Sequence, residues 1–193
     1  MMRLILIFFV LPFISTKGNN PYAAMPKEDF FKQSFLLQKI DLSNLDYELI
    51  EAGVFHLSNK YRQEKGRYSL EYQENLSYAA YLHSKEMSEK HFFNHNNRYT
   101  KNLATLADRA SFVNYKGYET LAENIFYGYV ELRNPGNYYD LCNFIVQSFI
   151  SSKGHRENLL AKDINEIGCG IHFLNKIKDG YVYFNFTQDF GWR

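Results

Sequence analysis

The stretch "INEIGCGIHF" (164–173), followed by "NKIKDG" (175–180) and "YVYFNFTQDF" (181–190), decides how the chain folds. In the first run Ile167, Cys169, Ile171 and Phe173 alternate with smaller or polar residues. That two-residue period belongs to a strand with one face toward a core. The Asp179-Gly180 pair is a turn signal, and the second run is rich in aromatic and β-branched residues. The two runs are therefore expected to pair as an antiparallel hairpin at the end of the chain.

Working back from the hairpin, the period lengthens. Leu141, Ile145 and Phe149 fall in helical register over about 138–149, and Gly154 with Glu157 at N3 suggests a short capped helix after it. Leu76, Ala79, Ala80, His83 and Met87 share one side of a helix expected over about 69–90. Tyr47, Ile50, Val54, Leu57 and Tyr61 do the same from about residue 42, with Gly66 as a C-cap. The stretch from "NHNNRYTKN" to Gly117 is weakly patterned, and no internal repeat is visible. Helices first and a hairpin last predict one α+β domain.

At the other end, "MMRLILIFFVLPFIS" (1–15) has one charge, Arg3, ahead of an apolar run from Leu4 to Ile14. Eleven residues are too few to span a bilayer, which takes about 20, but they suit a secretory signal. The division expected is a signal peptide over 1–18, a linker or N-terminal extension over 19–41, and a domain over 42–193. The mature chain is expected to be secreted, periplasmic or at the cell surface, with no transmembrane span.

Composition narrows the function. With 22 basic against 21 acidic residues there is no excess of positive charge to call for nucleic acid. Cys142 and Cys169 allow a disulfide without demanding one; two small buried hydrophobes is the preferred reading. Sixteen tyrosines and 17 phenylalanines exceed what one core obviously needs; Tyr-rich patches suit an interaction surface, and compositional bias is the simpler alternative.

Three segments put a polar or ionisable residue among aromatics or at an element end: "HFFNH" (91–95), "LAENIFYGY" (121–129) and "SKGHREN" (152–158). Two imidazoles and a carboxylate that converge make a plausible site for a divalent ion with an open position for water. The same groups without metal bind a polar ligand or relay a proton. Ser151 and Ser152 near His155 are read as helix-capping residues, Cys169 as a core residue, His83 as a satisfied core histidine, His91 as an exposed neighbour of His95, and His172 as facing the other side of the sheet from Cys169.

The ordered succession "LSNKYRQEKGRYSLEYQENLSYAAYLHSKEM" (57–87), "FFNH" (92–95), "AENIFYG" (122–128), "FISSKGHRENLL" (149–160), "IGCGIHF" (167–173) and "FNFTQDFG" (184–191) resembles the CAP superfamily, in its compact bacterial form. The superfamily joins cysteine-rich secretory proteins, antigen 5 and pathogenesis-related 1. The resemblance implies a three-layer α-β-α sandwich with a central antiparallel sheet. It also implies a cleft lined by two His and two Glu. On this chain "FFNH" supplies His95, "AENI" supplies Glu123 with Ala122 in place of glycine, and "SKGHREN" supplies His155. The second Glu is missing: Ser152 stands at its position, and Phe149 stands where the family has tryptophan. The resemblance implies an exported binding or interaction module whose cleft, lined by His95, Glu123, His155 and Ser152, holds an unknown small ligand, a lipid or an extracellular protein. A divalent metal such as zinc on His95, Glu123 and His155 is the cofactor expected, and a metal-dependent hydrolase or protease on the same cleft is the alternative.

Overall fold

A computed structural model describes residues 19–193; the apolar run read as a signal lies outside the described residues. Among the described residues no helix is long and apolar enough to cross a membrane. The elements run α1 (Lys27–Phe30), a 3-10 turn (Ser34–Leu37), α2 (Tyr47–Glu64), β1 (Glu71–Tyr72), α3 (Glu74–Lys90), a second 3-10 turn (Lys101–Leu103), α4 (Leu106–Phe112), β2 (Thr120–Glu131), α5 (Tyr138–Ser151), α6 (Lys153–Leu159), β3 (Glu166–Lys178) and β4 (Tyr181–Trp192).

The expected hairpin forms. β3 and β4 pair antiparallel, and Asp179 and Gly180 both take positive φ (53° and 83°), the backbone that a tight two-residue hairpin turn needs. β2 pairs antiparallel with the other side of β4, and β1 joins β3 in parallel, giving the order β1-β3-β4-β2. The sheet is thus mixed: an antiparallel trio extended by one short parallel strand.

Two helical layers sandwich it. Ile167, Cys169, Ile171 and Phe173 of β3 and Phe184, Phe186 and Phe190 of β4 point into the main core with α2 and α5. The alternate residues meet α3, where Ser84 bonds Thr187 (2.8 Å) and Asn185 bonds Ser88 (2.8 Å). Gly168 and Gly170 let the backbone of α3 press onto the sheet. His172 lies on this α3 side, near Tyr81, opposite to Cys169 and Ile171 as expected. Cys142 and Cys169 are both buried and are not joined by a disulfide.

Three local expectations change. The helix expected from residue 69 begins at Glu74, because Glu71 and Gln73 donate their N–H groups to Asn165 and Ile167 carbonyls (2.8 and 2.9 Å) and are drawn into a strand. The weakly patterned stretch contains α4, started by a capping box between Thr105 and Asp108. The start of α6 is Ser152, not Gly154, which sits inside the helix. Of the two readings of residues 19–41, linker or N-terminal extension, the second holds, with the segment folded onto the domain. Phe30 and Leu36 are buried, Phe30 stacks on His56 at 4.2 Å, and Asn20 donates to the Glu48 carbonyl and to Glu74.

Candidate functional site

Glu123 lies on β2, the edge strand, with its side chain on the α3 side of the sheet and only 9% exposed. A carboxylate there needs partners, and three elements supply them. His95, on the loop after α3, places Nδ1 2.7 Å from Oε1. Arg109 of α4, wholly buried, donates from a terminal nitrogen to Oε2; its other terminal nitrogen donates to the carbonyls of His95 and Leu103, both at 3.3 Å. His83 of α3 lies 3.8 Å from Oε2 and donates Nε2–H to the Asn94 carbonyl (3.0 Å), which pins the loop that carries His95.

The protonation states follow from these contacts. Burial alone pushes the Glu123 carboxyl up, but the His95 hydrogen bond and the Arg109 charge hold it below the usual carboxylate range. His95 is raised, first by its hydrogen bond to Glu123. Burial drives His83 down to about 4, so it is neutral at physiological pH, as its single donated proton requires. His83 is the buried histidine expected, yet it belongs to the charge cluster.

His155 approaches from the opposite layer. It lies on α6, its carbonyl accepts from Asn124 Nδ2 (3.1 Å), and its ring stands edge-on to Phe149 at 5.3 Å. Burial and then the nearby His95 lower its pKa. Asn158, one turn later, donates to the Glu123 carbonyl (3.1 Å) and to Asn124 Oδ1 (3.0 Å), and Asn124 reaches on to Gln188, which bonds Ser58. This amide chain fastens α6 to the edge strand. Between the two imidazoles runs an open groove lined also by Phe93, Asn94, Ile125, Phe126 and Tyr127. His95 and His155 thus face one groove with Glu123 beneath His95.

Ser152 does not line the groove; it stands at the α5–α6 junction, and its side chain makes no cap bond. Ser151 donates back to the Gln147 carbonyl (2.8 Å) and is no partner for His155. His91 is exposed in a left-handed conformation at the end of α3 (φ 55°), outside this groove.

Sequence reasoning missed Arg109 and Asp189. Asp189 is directly opposite Glu123 in the β2–β4 register, fully buried, with no donor to either oxygen. Burial, then the Glu123 charge, push it well above the usual carboxylate range, so it keeps its proton and can donate it to Glu123. Unfolding releases that proton wherever the pH exceeds the ordinary value of about 3.9. Asp189 therefore destabilises the fold above that pH, and the cost grows until its folded pKa is passed. Asp189→Asn is expected to raise the melting temperature at neutral pH, and the gain should vanish near pH ~4. Equal melting at both pH values would show that Asp189 is ionised in the fold.

Against known proteins, residues 55–190 match the family model described as CAP, cysteine-rich secretory protein family. Two Bacillus subtilis (strain 168) proteins are similar in sequence. Uncharacterized membrane protein YlbC is 29% identical over 121 residues, covering 63% of this chain and 31% of the relative. Uncharacterized protein YkwD is 30% identical over 122 residues, covering 62% and 41%. The matched region is thus less than half the length of either relative. Among solved structures, an extracellular protein containing an SCP domain from Bacillus anthracis str. Ames superposes with a TM-score of 0.59 at 24% identity, over 76% of this chain and 41% of that one. An outer surface protein from Borrelia burgdorferi superposes at 0.57 and 21%, over 81% and 98%. At such identities the likeness is one of fold.

Proposed function

The chain belongs to the CAP, or cysteine-rich secretory protein, family, and on that premise we propose that it is an exported binding module. Its groove between His95 and His155 takes a small polar ligand or a weakly held divalent ion such as zinc. One observation carries the reading: a buried Glu123, fixed by Arg109, holds His95 by Nδ1 at the rim of an open groove that His155 enters from the other layer. An imidazole oriented by a carboxylate behind it presents its other nitrogen to a ligand or metal.

The donor set limits the metal reading. Among the described residues no three His, Cys, Asp or Glu side chains stand together as a ligand group. Both Glu123 oxygens are engaged, so the carboxylate fits the orienting role better than the ligating one. His95 and His155 would hold the ion, water would complete its shell, and affinity would be low. Hydrolysis ranks below binding, because Glu123 has no free oxygen to serve as general base. Export is supported by the apolar run Leu4–Ile14 and by family membership.

Zinc titration by calorimetry tests the site. Wild type is expected to bind weakly, His95→Ala and His155→Ala to lose the heat signal, and acidification to abolish binding, since imidazoles ligate only when neutral. Unchanged binding in both variants would move the metal elsewhere.

A further inference from the structure

A second groove lies beside the first and is not needed by it. α3 crosses one face of the sheet and stops at Lys90. Its 17 residues cover about 25 Å, whereas the strands beneath, 12 and 13 residues long, run on the order of 40 Å. The far part of that face therefore has no helix over it. Tyr127 and Tyr129 are about half exposed there (46% and 52%). Tyr127 stacks on Tyr183 with ring centres 5.5 Å apart and planes 14° from parallel. Phe93, 51% exposed, forms one wall, and Lys176 and Lys178 of β3 form the other. Neither lysine makes an ion pair among the described residues.

Asn185 lines the same groove while only 2% exposed. Its Nδ2 donates to Ser88 Oγ (2.8 Å), and Ser88 in turn donates to the Ser84 carbonyl (2.9 Å). That chain fixes the amide orientation, because Ser88 has one proton and has given it away. Asn185 Oδ1 then receives no hydrogen bond. A buried acceptor without a donor, at a groove with aromatic floor and uncompensated cations, points to a ligand that brings the donor with it.

We propose that this groove binds an anionic oligosaccharide of the uronic acid class. The flat C–H face of a sugar ring lies on Tyr127, its carboxylate meets Lys176 and Lys178, and a hydroxyl reaches toward Asn185 Oδ1. An acyl chain fits worse: the groove is open, and its exposed rings keep phenol groups in water, whereas a chain needs an enclosed aliphatic slot. The two grooves share Phe93 and Tyr127 but no histidine, lysine or carboxylate, so the inference does not rest on the His95 site.

Calorimetry and NMR titration with tetragalacturonate test it, with neutral galactotetraose and sodium decanoate as comparators. Tetragalacturonate is expected to bind the wild type, more weakly as salt rises. The double variant Lys176→Gln/Lys178→Gln and Tyr127→Ala should each bind several-fold more weakly with unchanged melting temperatures, and His95→Ala should bind like the wild type. Galactotetraose should bind several-fold more weakly than the uronate. No uronate binding, equal affinity in the lysine variant, or saturable decanoate binding without uronate binding overturns the proposal.

Discussion

Arg109→Met is expected to lower unfolding stability by about 3–5 kcal/mol, read as a shift of the urea midpoint at unchanged slope. Native domains hold only about 5–15 kcal/mol in all. The loss is large because of what the substitution leaves behind. Glu123 stays buried with one of its two oxygens stripped of the guanidinium, and the carbonyls of His95 and Leu103 lose their donor. Replacing one member of a buried pair costs far more than replacing both. Arg109→Met/Glu123→Gln should therefore recover part of the deficit.

The pH dependence gives a second readout. In wild type the depressed Glu123 pKa contributes stability above the unfolded value of about 4.3, and this is lost as pH falls through the folded value. Without Arg109, burial works against the ionised carboxylate over that same range. The gap between variant and wild type should be widest at neutral pH and close below about pH 4. A deficit under about 1 kcal/mol, or one that does not change with pH, would mean the ion pair does not organise the site.

Why the sequence revealed His95, Glu123 and His155 but not Arg109 or Asp189 is a matter of burial. The three legible residues stand among aromatics or at element ends, where a polar side chain is conspicuous. In β4 the residues alternating with Phe184, Phe186 and Phe190 are Asn185, Thr187 and Asp189, a pattern that reads as a solvent face. α3 and its serines cover that face, so the polar side chains are core residues. Arg109 looks like any helix-surface arginine until α4 docks. Its helix was readable from Thr105 and Asp108, three apart, as a capping box, but seven residues leave too little periodicity to find it otherwise. β1 was not readable at all. Two residues inside a helix-like pattern become a strand only through backbone bonds to a segment about 95 residues away. The hairpin, by contrast, depends on alternation and an Asp-Gly turn, both local, and was plain.

The same covered face makes Gly170 the least replaceable small residue in the sheet. A Cβ built there falls 2.0 Å from the Tyr81 backbone nitrogen and 2.4 Å from the Ala80 carbonyl carbon. No rotamer change relieves a clash with helix backbone, so α3 must rise from the sheet. Gly168 sets the same limit one turn earlier, 2.1 Å from Ser77 nitrogen. Gly170→Ala is expected to cost at or above the top of the usual overpacking range of about 1–3 kcal/mol. Gly128→Ala should cost less, since its Cβ meets ring edges of Phe184 and Phe126 that can tilt. Gly154→Ala, with nothing within 4 Å in a helix, should stabilise by about 0.5–1 kcal/mol. The first of these reaches the site as well as the fold. α3 carries His83, which holds the Asn94 carbonyl and with it the loop bearing His95. A lifted α3 loosens the His95–Glu123 bond, and the His95 pKa, raised in wild type by that bond, should fall back toward its ordinary value of about 6.5. NMR titration of the imidazole reads this in whatever fraction of Gly170→Ala still folds. Wild-type stability together with a wild-type His95 titration would show that α3 does not bear on the sheet through these glycines.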